Sequence, residues 1–166
     1  MGQNILSGSG MLYKNIDEFI KVIDKTKRIM GLDFGEKKIG IALSDRTNLV
    51  AMPYSVYMRR SSRKDLGSLY SIFVENVVGS IIIGWPIELN GLENELCQKV
   101  VLFANRIIAK YNINVYLHDE RYSTAMATRV AKLANIKRKE SQAIDDKISA
   151  VLILQQVLDI IKIYQM

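Results

Sequence analysis

The run Val78-Gly79-Ser80-Ile81-Ile82-Ile83-Gly84 constrains the fold more than any other stretch of this chain. It is short, apolar throughout and closed by glycine. Such a segment has no wet side, so it predicts a central strand covered on both faces. The covers are legible around it. Helical spacing runs over 61–77, 91–110 and 141–163, and a leading helix over 15–27 has apolar residues at 16, 19, 20 and 23 behind Asn15 as cap. Further strands are expected at 28–33, 38–44, 54–58 and 113–118, and a helix at 123–134 opening on Ser123 and Thr124. The break 34–37 is of hairpin length and contains Gly35. Three meandering strands followed by alternating helices and strands predict a mixed sheet with helices on both faces.

At 166 residues the chain has room for one domain with one real core. A hydrophobic share of 49% argues against disorder. No apolar stretch approaches the roughly 20 residues of a membrane span. The opening MGQNILSGSG is not a secretory signal and reads as a flexible leader, with Met11 an alternative start. Cys97 is the single cysteine and reads as an apolar filler on a helix. A lone thiol fits a reducing, cytoplasmic compartment. The net charge of +6 favours a polyanionic partner such as nucleic acid.

The carboxylates carry the chemistry. Asp33 stands where the first strand stops, between Leu32 and Phe34, an apolar setting in which an unpaired acid is costly. Asp119 and Glu120 end the strand INVYLH, and Asp145 and Asp146 open the last helix. Functional groups gather at strand ends in α/β sheets. Converging carboxylates repel one another, and a hard divalent cation removes the repulsion. Two such ions about 3.5–4 Å apart serve phosphodiester hydrolysis. Asp146 has a plainer reading as an acid in a first helical turn.

Four stretches together resemble the YqgF/RuvX family, described as Holliday-junction resolvases and more often as pre-16S rRNA nucleases. They are GLDFGEKKIGIALSD, IIIGWPIELNG, DERYST and IDDKISAVLILQ, spread over residues 28–155. The chain departs from the family pattern at Trp85 and Ser149. The resemblance implies an RNase H-like α/β fold, a mixed five-stranded sheet with helices on both faces. It implies a domain over 28–166 behind an N-terminal extension over 1–27. It implies a nuclease using Mg²⁺ or Mn²⁺, two ions, held by Asp33, Glu120 and Asp146. Asp119 remains the alternative to Glu120, because neighbours on a strand face opposite ways. The implied partners are precursor rRNA or branched DNA and ribosomal particles, with no membrane, for a monomer or weak homodimer.

Arg121 reads either as a phosphate grip or as a salt bridge to a neighbouring acid. Thr124 reads as a helix cap, His118 as a packed strand residue, and Trp85 as either a base-stacking or a buried ring. The loop GWPIELNG is a candidate wall of the substrate groove. Two basic clusters, Arg59-Arg60 with Arg63-Lys64 and Lys137-Arg138-Lys139, read as phosphate grips or as solvated surface. Two other functions compete. A sugar-kinase-like ATP site needs a second domain and a second glycine-rich loop, both missing from the sequence. A silent nucleic-acid or ribosome-binding module differs from a nuclease in whether its acids cluster.

Overall fold

The structure, a computed structural model, describes residues 9–121 and 138–166, the side chains of 138–146 excepted. In chain order the elements are β1 (Leu12–Tyr13), α1 (Ile16–Val22), β2 (Arg28–Phe34), β3 (Lys38–Ser44), β4 (Ala51–Met58), α2 (Ser62–Glu75), β5 (Val78–Trp85), α3 (Glu95–Tyr111), β6 (Asn114–Asp119) and α4 (Arg138–Tyr164). The sheet order is β1-β6-β5-β2-β3-β4. β2, β3 and β4 form an antiparallel meander, while β5 and β6 run parallel to β2 and to each other.

The mixed sheet has six strands rather than the expected five. The sixth is the two-residue β1, which pairs parallel with β6 through Leu12↔Val115 and Tyr13↔Tyr116. A pair this short has no hydrophobic pattern to announce it. Its backbone hydrogen bonds and the docking of α1 hold it. The expected strand at 54–58 begins three residues earlier, at Ala51, and carries Pro53. β4 is an edge strand, where a missing N–H costs little. The helix expected at 123–134 lies outside the described residues.

Strand alternation divides the core in two. Met30, Leu32, Ile81, Ile83 and Leu117 pack with Leu69, Phe73 and Phe103 of α2 and α3. Ile29, Ala42, Ile82 and Tyr116 face Phe19 of α1 and Ala150, Leu154 and Val157 of α4. β5 is therefore covered on both sides, which is why residues 78–84 carry no polar face.

The α4 crossing depends on a glycine. A Cβ on Gly31 would lie 2.7 Å from the Cβ of Leu154 and 3.1 Å from the carbonyl of Ala150. Gly31 thus lets the last helix lie close against β2. Gly31→Ala is expected to cost about 1–3 kcal/mol by overpacking, read as a lowered urea midpoint with unchanged m. An unchanged midpoint would mean that α4 yields without cost.

Candidate active site

Ile29, Gly31 and Asp33 alternate onto the α4 face of β2. Asp33 pairs across the hairpin with Gly40, and on the other side the β5 register places Gly84 next after the Leu32↔Ile83 pair. The acid is thus flanked on both neighbouring strands by residues without side chains. The hairpin closes tightly: the Gly35 N–H donates to the Lys38 carbonyl at 2.9 Å. A Cβ on Gly35 would lie 2.8 Å from that same carbonyl oxygen, so turn closure itself excludes a larger residue.

Tyr116, His118 and Glu120 alternate onto the same α4 face at the end of β6. The Glu120 N–H donates to the Trp85 carbonyl at 3.1 Å, continuing the parallel ladder one residue past the strand. Its side chain fills the space over Gly84. A Cβ there would fall 2.0 Å from Glu120 Oε1 and 2.6 Å from its Cδ. The Glu120 carboxyl is hydrogen-bonded to Asp33. Burial first, and the Asp33 charge second, push its pKa up to about 8. Two carboxyl groups therefore meet in a recess kept open by glycine, with a proton between them.

Asp119 points the other way. Its carboxylate accepts from Arg121 Nε at 2.8 Å and from the Arg121 backbone N–H at 3.0 Å, and Arg121 Nη2 lies 2.5 Å away. Burial raises its pKa, but the Arg121 hydrogen bonds and charge outweigh that and hold it below the usual range. Of the two readings of Arg121, the salt bridge is present. The guanidinium also borders the β5–α3 loop, since a Cβ on Gly91 would lie 3.9 Å from Nη1.

His118 is half-buried and bonds through Nε2 to Gln156 Oε1 at 2.8 Å, tying β6 to α4. Burial lowers its pKa against the opposing pull of Gln156 and Asp119. This is the packed strand residue expected from sequence. Trp85 packs against the opposite face of the sheet, with Lys14 Nζ 4.6 Å from its ring centroid. Cys97 is buried on α3.

Asp146 lies in α4 one turn before Ala150, the residue that abuts Gly31. Its side chain lies outside the described residues. Among the described residues, no three His, Cys, Asp or Glu side chains are grouped to hold a metal ion. The described site is the Asp33–Glu120 pair. Its donors are all oxygens in a recess where a Cβ would collide, which fits a hard divalent cation.

The basic residues divide. Arg59 is engaged: Nε lies 3.1 Å from buried Asp65, Nη1 donates to the Gly35 and Glu36 carbonyls at 3.2 and 3.3 Å, and the guanidinium stacks on Phe34. It braces the hairpin behind Asp33. Arg60, Arg63 and Lys64 are exposed at the start of α2. Lys137 and Thr124 lie outside the described residues, as do the side chains of Arg138 and Lys139 at the start of α4.

Three contributors were missed in the sequence. Gly84 leaves the space that the Glu120 carboxyl fills, and Gly40 stands opposite Asp33 and lines the depression beside it. Lys38 lines, with Asp33, Gly40 and Lys37, an open depression of about 290 Å³ beside the acids. The signal was available. Pairing Asp33 with Gly40 across the hairpin puts Lys38, two residues earlier, on the same face.

The family described as RuvX, Holliday junction resolvase, matches residues 27–160. A relative from Ehrlichia chaffeensis named "Putative pre-16S rRNA nuclease" is 89% identical over 156 residues, covering 94% of this chain and 100% of the relative. A Wolbachia pipientis relative of the same name is 52% identical over 149 residues, covering 90% and 96%. A solved Thermus thermophilus RuvC in complex with a Holliday junction substrate superposes with TM-score 0.47 and 13% identity, covering 80% of this chain and 94% of that one.

Proposed function

This chain belongs to the RuvX family, and from that premise we propose that it is a divalent-metal-dependent nuclease that trims the 5′ end of pre-16S rRNA. The observation that carries the proposal is the Asp33–Glu120 carboxyl pair held in a glycine-lined recess. The names of its relatives support the rRNA substrate. Asp33 and Glu120 would hold the cation, with Asp146 as the third acid and two ions as the full complement. When bound, the metal supplies charge neutralisation at the scissile phosphate and a more acidic water.

The chain's own residues prepare for this. Gly84 gives the Glu120 carboxylate its place, and Glu120 must release its proton before both acids serve as ligands. Asp119 fixes Arg121 beside the β5–α3 loop, where the guanidinium is positioned to meet a phosphate. Lys37 and Lys38 set positive charge against the acidic recess and draw the backbone toward it. Substrate grip beyond the recess falls to Arg60, Arg63 and Lys64, together with Lys137, Arg138 and Lys139. Arg59 contributes by holding the hairpin. Work on ribosomal precursors would be cytoplasmic. Among the described residues, no helix is long and apolar enough to cross a membrane.

The family description favours one other substrate, a four-way DNA junction. Purified protein with Mg²⁺ or Mn²⁺ should be given precursor 16S rRNA and a four-way junction in parallel. Cleavage at the rRNA 5′ end with an intact junction is expected. Symmetric nicking of the junction with intact rRNA would transfer the site to DNA. Replacing Arg60, Arg63 and Lys64 by Ala should weaken rRNA binding across sequences, with the log–log salt slope shallower by about 1 for each phosphate no longer held. An unchanged slope would return these residues to ordinary solvated surface.

A further inference from the structure

A cavity of about 490 Å³ lies at the end of the sheet away from the acids. It is lined by Arg28 and Arg46 with Thr26, Glu75, Asn76 and Val77. Val77 also lines a second cavity of about 280 Å³, whose other walls include Lys27, Tyr70, Phe73 and Tyr111. From Arg28 to Asp33 is five residues of β2, about 17 Å at the rise of a strand.

Hydrogen bonds hold the cationic wall in place. Arg46 rides on a turn locked from within, where the Asp45 carboxylate accepts from the backbone N–H groups of Leu49 and Val50, each at 2.9 Å. The Thr47 hydroxyl first, and these backbone bonds after it, hold Asp45 down to a pKa of about 2. Asn48 ties the turn to the Lys27 carbonyl at 2.9 Å. Arg28 reaches Asn76 Oδ1 at 3.4 Å. Val77, between the cavities, sits at φ 52° with its side chain mostly exposed, a left-handed conformation that a β-branched residue adopts only under constraint. Among the described residues, Arg46 makes no ion pair. On the far side Tyr70 stacks on Tyr111 at 4.5 Å and 12°, and Tyr70 remains 47% exposed.

Cations on one side of Val77 and a stacked aromatic pair on the other are the two halves of a single-strand nucleic-acid site, phosphates on the former and a base on the latter. We propose that Arg28, Arg46 and the Tyr70–Tyr111 stack form a second nucleic-acid site that holds a single-stranded segment of the substrate away from the cleavage recess. It rests on the nuclease reading only for the class of ligand. Glu75 in the same cavity disfavours a second phosphate there and limits the site to one phosphate and one base.

The test uses the full chain carrying Asp33→Asn, without metal, so that cleavage plays no part. A fluorescently labelled hexa-adenylate, in ribo and deoxyribo forms, is titrated by anisotropy across a KCl series. Arg46→Ala should weaken binding about 5–10-fold and make the log–log salt slope shallower by about 1. Tyr70→Ala should weaken it similarly with the slope unchanged. Both positions are exposed, and thermal melts check that each variant folds. A preference for the ribo form assigns the site to RNA, and equal binding assigns it to single strands of either sugar. Wild-type affinity in both variants, or no binding of hexa-adenylate to the parent, would overturn the proposal. Failure of the wild-type chain to cleave any substrate would instead strike the nuclease reading and leave this measurement standing.

Discussion

Asp33→Asn is expected to abolish cleavage while leaving the fold intact. The change keeps the side chain's shape but removes one charged oxygen from the recess. Losing even an outer partner of a metal site costs about 10–100-fold, so loss of a carboxylate that touches the cation should cost at least about a hundredfold in single-turnover rate. Stability should not fall in the metal-free protein. There burial, and next the Asp33 charge, pushes the Glu120 pKa up to about 8, so the two acids share a proton and lose it only at a cost. An Asn removes the Asp33 charge and can still hydrogen-bond Glu120. A mutant that melts at or above the wild-type temperature and cleaves at background is the expected pair of results. Wild-type cleavage at matched Mg²⁺ would remove Asp33 from the chemistry.

Gly84→Ala is the second large effect. No charge changes, yet the new methyl would fall 2.0 Å from Glu120 Oε1, so the carboxylate must leave its place beside Asp33. Cleavage should drop by about a hundredfold, with about 1–3 kcal/mol of stability lost to overpacking. Glu120→Gln should match it in rate, whereas Asp119→Asn should mainly loosen Arg121. The contrast separates the two acids of DERYST by geometry. If Asp119→Asn is dead at full stability while added metal rescues Glu120→Gln, the assignment is reversed.

The raised Glu120 pKa also gives a pH signature. Its value in the unfolded chain is near 4.5 and in the folded, metal-free chain about 8. Between those values the folded state holds a proton that the unfolded state has released. This group's contribution to stability therefore falls as pH rises through that window. A cation bound by both carboxylates would displace that proton. The rise in melting temperature given by saturating Mg²⁺ should grow from pH 5 to pH 8 in the wild type and shrink in Asp33→Asn.

The sequence disclosed the sheet because its strands have simple patterns. The stretch 78–84 is apolar on both faces, and the two runs around Gly35 are joined by a break of hairpin length. Asp33 was legible because a charge at the end of an apolar strand needs a reason. β1 was not, since two residues carry no period. The choice between Asp119 and Glu120 was beyond sequence alone, because it depends on how β6 continues past its last residue. The Glu120–Trp85 backbone bond fixes which carboxylate turns over Gly84. The role of Arg59 was hidden for a similar reason. Next to Arg60 it reads as surface charge, and only the buried Asp65, a first-turn residue of α2, makes it a brace.

The most direct measurement is single-turnover cleavage of precursor 16S rRNA across a Mg²⁺ titration, with wild type, Asp33→Asn and a chelator-treated control side by side. The expected result is a rate that rises with Mg²⁺ in the wild type, vanishes with chelator and stays at background in the mutant at every concentration. Cleavage that persists in chelator, or that Asp33→Asn supports at the wild-type rate, would contradict a metal-dependent nuclease built on this carboxyl pair.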